Sequence, residues 1–301
     1  MNSAQVWMKH KASAWAPTHA TLFFAVPEQK TDLLEMGSIG GGINFETGMT
    51  TTLMEADQMS VTFNGEPIDG KVTKTVMKEF FTRTNTEGTF AVEHQSRLPI
   101  GHGLSTSGAG AIGTALALNE YLETGLSYME LLQIAHIADA KNHTGLGSVL
   151  GQSVKGIELR ITQGAPGIAT VKSFDERREL IIVPIAPLST ADVLTSEQQM
   201  ELVTKAGIKA VDELRDRESL TLEELLTVGK RFMKTCGLQT RRVQRLISSL
   251  ESIGEHYVTM AMIGETLIIL PQDQSQVDEW INKNNLRSHI TRVSGKTPHL
   301  L

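Results

Sequence analysis

At 301 residues and 40% hydrophobic content the chain is long enough for two lobes around a sizeable core, and its single cysteine, Cys236, excludes an internal disulfide framework. A net charge of −6 argues against a general nucleic-acid binder while leaving room for a local basic pocket. Apolar runs such as "LIIL" and "ELIIVPIAPL" fall far short of the ~20 residues of a membrane span, and the N-terminal residues show no leader pattern, so a cytoplasmic protein that binds neither membrane nor nucleic acid is expected.

In chain order, the first hundred residues read as short strands separated by turns. "ATLFFAV", "TTTLMEA" and "GTFAVEHQSRLP" are strands, and the Asn-Gly and Asp-Gly pairs of "FNGEPIDG" are hairpin turns. From Thr106 to about Tyr121 the apolar spacing becomes helical, and "YMELLQIAHIADAKN" is a second helix ended by "HTGLG". "GIELRITQGAPGIATVKSF" reads as two strands around a Gly-Ala-Pro-Gly turn, and "ELIIVPIAP" as a buried strand. The chain is mostly helical from Ser196 to about Ser252, "HYVTMAMIGETLIILP" returns to strand, and the last 25 or so residues add a helix and a terminal strand. Mixed elements without a repeat or linker predict an α+β protein of two closely packed lobes, residues 1–185 and 186–301.

The stretch "PIGHGLSTSGAG", residues 99–110, places glycines and hydroxyls where a helix begins. Glycine lets backbone approach a ligand closely, and the helix start offers unpaired N–H groups and the positive end of a dipole, which together suit a phosphate. The hydroxyls of Ser105, Thr106 and Ser107 add hydrogen bonds or a Mg²⁺ ligand. The same residues equally suit a helix capped by Thr106 or Ser107 and packed tightly through "GAGAIG". No Lys-Ser/Thr pair follows the glycines, so this is not a Walker loop.

Pro99, Gly103, Leu104, Thr106, Ser107 and Gly108 resemble the second motif of the GHMP kinases. "WAPTHATLFF", "GSIGGGINFETGMTTTL", "AHIADAKNHTGLGSVLGQ", "GIELRITQGAPGIATV", "KTCGLQTRRVQ" and "AMIGETLIIL" resemble, in order and approximate spacing, the archaeal pantoate kinase branch of that superfamily. The resemblance implies the GHMP kinase fold, with a ribosomal-protein-S5-like N-terminal lobe and a ferredoxin-like C-terminal lobe. It implies ATP and Mg²⁺ as cofactors, γ-phosphoryl transfer to a hydroxyl of a small hydroxy acid, and a homodimer as the simplest assembly. Carried over residue by residue, the nucleotide loop comprises Pro99, Gly101, Gly103, Leu104, Ser105, Thr106, Ser107, Gly108, Ala109 and Gly110. Ser107 and Asp139 become the catalytic pair that holds the metal, Asp139 standing where the family has a glutamate. Ser38, His136 and Arg160 fall on substrate-side positions, the Arg160 guanidinium being suited to gripping a carboxylate through two parallel hydrogen bonds. Spacing alone would equally make His136 a packed core residue and Arg160 and Asp139 solvated ones.

Two departures stand out. Ser148 replaces the family's aspartate after Thr-Gly-Leu-Gly, and Ile39 replaces an arginine in the glycine-rich loop. A serine cannot act as the base, but phosphoryl transfer through a loose transition state relies mainly on positioning and charge stabilisation. Loss of that carboxylate would relieve about 4 kcal/mol of repulsion against a second anionic group at ~4 Å. This points to a phosphorylated acceptor, with mevalonate 3-phosphate, phosphorylated on its 5-hydroxyl in isoprenoid synthesis, as the expected substrate. Lys141, His143, His19 and Lys155 stand as donors that would offset the missing arginine. Pantoate itself is the alternative acceptor, and a non-catalytic nucleotide-binding regulator is the alternative of another class.

Overall fold

A computed structural model describes residues 11–188 and 197–301. Its first layer is an eight-stranded sheet running β12-β1-β2-β5-β3-β4, with β6 and β7 continuing from the other half of β2. The strands are β1 (Ala12–Ala25), β2 (Ile39–Glu55), β3 (Ser60–Phe63), β4 (Glu66–Pro67), β5 (Phe90–Gln95), β6 (Ile157–Arg160), β7 (Val171–Phe174) and β12 (His299–Leu300). The long β2 pairs β5 through Thr50–Glu55 and β6 through Gly40–Ile43. β1 and β2 are antiparallel with two irregularities, Ala16/Thr18 and Thr21/Phe23, which bracket His19 opposite Asn44. Bulges of this kind re-aim side chains.

β1 extends well before the predicted "ATLFFAV", through Pro17, and the glycines of "GSIGGGINF" lie inside β2. They are there because neighbours fill the space of a side chain. A Cβ on Gly41 would sit 2.5 Å from the Phe23 ring, one on Gly42 2.9 Å from Glu158 Oε1, and one on Gly40 2.8 Å from Arg160 Nη2. The Asn64-Gly65 hairpin is present, with φ of 50° and 84° at its two central residues, as a primed turn requires.

Helices cover one face of this sheet: α1 (Lys71–Thr84), α2 (Thr106–Leu122), α3 (Tyr128–Lys141) and the short α4 (Ser148–Gln152). α1 falls where short strands are predicted. Its threonines and valines favour strand, but Thr73, Val76, Met77 and Phe80 form one buried stripe at helical spacing. In α2, a Cβ on Gly110 would lie 3.2 Å from the His94 ring and one on Gly113 would collide with Thr51, so the small residues do pack the helix tightly.

The second layer is a four-stranded antiparallel sheet, β11-β8-β10-β9, from β8 (Glu179–Ala186), β9 (Val258–Met260), β10 (Glu265–Ile269) and β11 (His289–Arg292). Its strand order and the helix between β10 and β11 are those of a ferredoxin-like unit. Helices α5 (Glu197–Leu214), α6 (Leu222–Cys236) and α7 (Arg241–Ser252) are inserted between β8 and β9, and α8 (Gln274–Lys283) precedes β11. Ser196, where the helical stretch was expected to begin, lies outside the described residues.

The boundary expected after residue 185 falls one residue short of the end of β8, which pairs wholly in the second sheet, while β12 returns to the first. One core joins both layers: Leu22, Phe23 and Phe24 of β1 pack with Phe232 of α6, and a Cβ on Gly229 would lie 2.9 Å from Leu22 Cβ. No described helix is long and apolar enough to cross a membrane.

Candidate active site

The residues leading into α2 adopt the conformations a phosphate loop needs. Gly101 and Gly103 have φ of 78° and 71°, and Ser105, the residue before the helix, has φ of 48°. Ser105 makes no side-chain cap, so the first-turn N–H groups of α2 receive no hydroxyl. Its Oγ lies instead 3.3 Å from His19 Nδ1. Neither Thr106 nor Ser107 caps the helix, so of the packing alternative only the tight packing holds. The second sheet closes this loop from outside: Thr266 Oγ1 donates to the His102 carbonyl at 2.7 Å, and a Cβ on Gly264 would lie 2.6 Å from Gly103 N.

Ser107 and Asp139 come together. Ser107 Oγ donates to Asp139 Oδ1 at 3.2 Å, Ser148 Oγ donates to Oδ2 at 2.5 Å, and Thr144 also donates to Oδ1. Asp139 is 1% exposed, and three hydroxyls surround its carboxylate. A carboxylate with hydroxyls, facing a helix start, is the all-oxygen donor set that a hard cation takes. ATP and Mg²⁺ therefore fit: Ser107 and Asp139 would hold the metal and the α2 start the phosphates.

On the far side of the Gly145-Leu146-Gly147 loop lie Ser38 and Arg160. Ser38 N donates to the Leu146 carbonyl at 2.9 Å, and a Cβ on Gly147 would collide with Ser38 Oγ and lie 2.8 Å from Arg160 Nε. The Arg160 side chain is fully buried; Nη1 donates to Glu158 Oε1 at 2.5 Å, while Nε and Nη2 have no partner among the described residues. An unpaired buried guanidinium edge is costly unless an anion completes it.

His136 lies one turn before Asp139 on α3. Its Nε2 faces the carbonyls of Leu33 and Met36 at 3.1 and 3.0 Å, fastening the loop that leads into Ser38. Burial lowers its pKa, with Asp139 opposing. Within the loop 99–110, Leu104 is 1% exposed and its carbonyl accepts from His19 N. Ala109 is buried and its N–H goes to the Ser105 carbonyl, so it has no amide to offer a phosphate. Pro99, Thr106, Gly108 and Gly110 shape the loop and its packing, Gly108 lying against Gln152 and Ser148.

Motif reading missed Glu158 and Gln152 as parts of the site and offered His19 only as a donor to offset the missing arginine. His19 Nε2 is 3.0 Å from Glu158 Oε1, and Gln152 Nε2 donates to the Pro17 and Ser105 carbonyls at 2.6 and 3.1 Å. Sequence patterning held one signal, the charged Glu158 between Ile157 and Leu159 in an apolar strand.

A second element missed by motif reading is a cavity of about 680 Å³ beside the loop, lined by Gly48, Asn64, Glu93, Ser96 and Arg97 among others. Asn64 and Ser96 clasp each other there: Asn64 Nδ2 donates to the Ser96 carbonyl at 2.9 Å and Ser96 N to Asn64 Oδ1 at 3.1 Å. Three residues on, the chain enters Pro99.

A helix start opposite a carboxylate–hydroxyl cluster, with a buried guanidinium behind it, is the arrangement of a phosphotransferase. Residues 71–153 match the GHMP kinases N terminal domain family. The chain is 30% identical over 302 residues to a pantoate kinase of Thermococcus kodakarensis, covering 95% of this chain and 96% of the relative. It is 28% identical to a pantoate kinase of Methanocaldococcus jannaschii over 88% of this chain and 94% of the relative. A solved structure described as a phosphotransferase related to the CoA biosynthesis pathway superimposes with a TM-score of 0.85 at 27% identity, covering 97% of this chain and 98% of that one. The protein belongs to the GHMP kinase superfamily, in its pantoate kinase-like branch, and is an ATP- and Mg²⁺-dependent phosphotransferase acting on a hydroxyl. This removes the non-catalytic regulator.

The expectation of a mevalonate 3-phosphate acceptor is overturned, because the relatives that span nearly the whole chain are pantoate kinases. The geometry supplies the physical reason. Ser148 removes one carboxylate but leaves another against it, since its hydroxyl donates to the buried Asp139 carboxylate. Three of the four expected donors are engaged elsewhere: Lys141 pairs with Glu79 at 2.7 Å, Lys155 lies 4.0 Å from Asp175, and His19 is held by Glu158.

Proposed function

We propose that the protein is a pantoate kinase, transferring the γ-phosphoryl group of ATP to the primary hydroxyl of pantoate to give 4-phosphopantoate, a step toward coenzyme A. Likeness over nearly the full length to pantoate kinases carries this reading. In it, Arg160 Nε and Nη2 grip the acceptor carboxylate, with Ser38 beside them and the His136-anchored loop fixing Ser38. That places the acceptor on the Arg160 side of Gly145–Gly147 and the phosphates on the Asp139 side.

Bound Mg²⁺-ATP supplies the phosphoryl group and neutralises charge on it. This chain positions the two ends. Gly101, Gly103 and Ser105 shape the phosphate loop, Ser107 and Asp139 hold the metal, and the 680 Å³ cavity around Asn64 and Ser96 takes the base and ribose. With Ser148 bonded to Asp139 Oδ2, the acceptor hydroxyl meets no free carboxylate at position 148, consistent with late proton loss in a loose transition state. The two sheets with their helices form two lobes that meet where Thr266 Oγ1 bonds the His102 carbonyl; the protein works without nucleic acid or membrane, and the assembly is a homodimer.

The test is ADP release with Mg²⁺-ATP and (R)-pantoate or L-homoserine, and light scattering for the assembly. Turnover with pantoate at least a hundredfold above homoserine is expected; turnover with homoserine alone would overturn the reading.

A further inference from the structure

The buried groups behind Arg160 form a chain that crosses the site. Ser105, at the start of α2, faces His19 Nδ1 at 3.3 Å; His19 Nε2 faces Glu158 Oε1 at 3.0 Å; and Arg160 Nη1 donates to that same oxygen at 2.5 Å. His19, Glu158 and Arg160 are each 0% exposed. A carboxylate oxygen only accepts, so Nε2 carries the hydrogen, and in the neutral ring Nδ1 accepts from the Ser105 hydroxyl. The glycines around this cluster, Gly40, Gly42, Gly147 and Gly151, leave it tightly walled; a Cβ on Gly151 would lie 3.0 Å from His19 Nε2.

The charges in this wall are few. β1 contributes His19 and β6 contributes Glu158 and Arg160. β2 offers Asn44, α4 offers Gln152, and the loop before α2 offers Ser105, all uncharged. Asp139 and His136 on α3 lie across the Gly145–Gly147 loop. Glu158 and Arg160 therefore cancel, and an acceptor carboxylate placed on Arg160 would bring a second negative charge to a dry, already neutral pair. Burying an uncompensated charge is strongly unfavourable. His19 alone among the walls can supply the missing positive charge, and it already touches Glu158.

We propose that His19 takes up a proton when the acceptor carboxylate binds, so that the Glu158–Arg160 pair can hold a second anion. The inference rests on the acceptor reading above, in which Arg160 grips the carboxylate. In the free protein the ring is neutral at working pH, because burial holds its pKa below the ordinary value despite Glu158. A carboxylate arriving at Arg160 draws Arg160 toward itself, frees Glu158 for His19, and raises the proton affinity of the ring. The protonated ring then donates from both nitrogens, and its Nδ1–H turns to the Ser105 oxygen. Acceptor occupancy would thus be felt at the first residue of the phosphate loop.

The direct test is calorimetry of (R)-pantoate binding to the protein with Mg²⁺ and a non-hydrolysable ATP analogue, in buffers of differing ionisation enthalpy. At pH 8 the wild type should take up about one proton per acceptor, and its Kd should rise roughly tenfold per pH unit between the free-state and the bound-state pKa of His19, levelling off above the latter. His19→Gln, whose amide can donate to Glu158 and accept from Ser105, should take up none, bind at least about tenfold more weakly, and show a flat Kd across pH. This readout separates a proton site from a structural one, and the wild-type measurement needs no variant. Binding without proton uptake, or uptake that survives in His19→Gln, would overturn the proposal while leaving the acceptor reading intact. Arg160→Lys binding as tightly as wild type, or no binding of pantoate at all, would instead remove the acceptor reading and this inference with it.

Discussion

The Ser148 hydroxyl donates to Asp139 Oδ2 across 2.5 Å, joining the residue that departs from the family pattern to the carboxylate that keeps it. One anionic group, with Ser107 and Thr144 on its other oxygen, serves this corner of the site. Asp139→Ala should therefore cut kcat by roughly three orders of magnitude, the scale of several kcal/mol of lost metal-borne charge stabilisation, and raise the Mg²⁺ needed for half-maximal rate. ADP release against Mg²⁺ concentration reads both, and a near-normal rate would remove Asp139 from the metal site.

In the proposed reading Arg160 carries two separable tasks, gripping the acceptor and balancing Glu158. Arg160→Ala strands a buried Glu158 and should cost about 3–5 kcal/mol of stability along with the acceptor affinity. A double variant, Arg160→Met with Glu158→Gln, should regain most of the stability but not the affinity. Urea unfolding and the KM for pantoate decide this; recovery of both would show that the carboxylate binds elsewhere.

His94 sits between Thr51 and Thr73, each 2.9 Å from a ring nitrogen, and burial pushes its pKa down from 6.5 to about 4. Below pH 6.5 the unfolded chain binds a proton that the folded protein refuses until about pH 4, so stability falls with falling pH across that window. The loss from this group is about 3 kcal/mol in all. His94→Gln should flatten the slope of unfolding free energy against pH by about one proton; an unchanged slope would contradict the assignment.

Gly113→Ala sets helix propensity against packing. Propensity alone favours alanine by about 0.8–1 kcal/mol, yet a Cβ there would lie 2.7 Å from Thr51 Cβ, inside a rigid sheet. Overpacking of this sort costs about 1–3 kcal/mol, so the variant should melt at lower temperature with the KM for ATP unchanged. A raised melting temperature would show that α2 shifts freely on the sheet.

Asn64→Ala opens the clasp with Ser96 at the cavity wall. It should raise the KM for ATP severalfold through loss of a preorganised base pocket and leave the KM for pantoate alone. Equal changes in both would place the nucleotide base elsewhere.

Local chemistry made much of this protein readable from its sequence. Helical spacing located α2 and α3, the Asn-Gly pair set the β3–β4 turn, and the glycine–hydroxyl run before Thr106 marked the tight turn into α2, because each depends on residues close along the chain. What depends on distant partners was hidden. α1 looked like strand until the sheet and α2 gave its apolar stripe a surface, and the glycines of β2 have meaning only opposite Phe23, Glu158 and Arg160. The acceptor went wrong for the same reason. Replacing aspartate with Ser148 removes one carboxylate, but only the fold shows that the remaining one, Asp139, lies against that hydroxyl and that Arg160 is already balanced by Glu158. A sequence states which charges exist; only packing sets the distances and the dryness that determine what each one does.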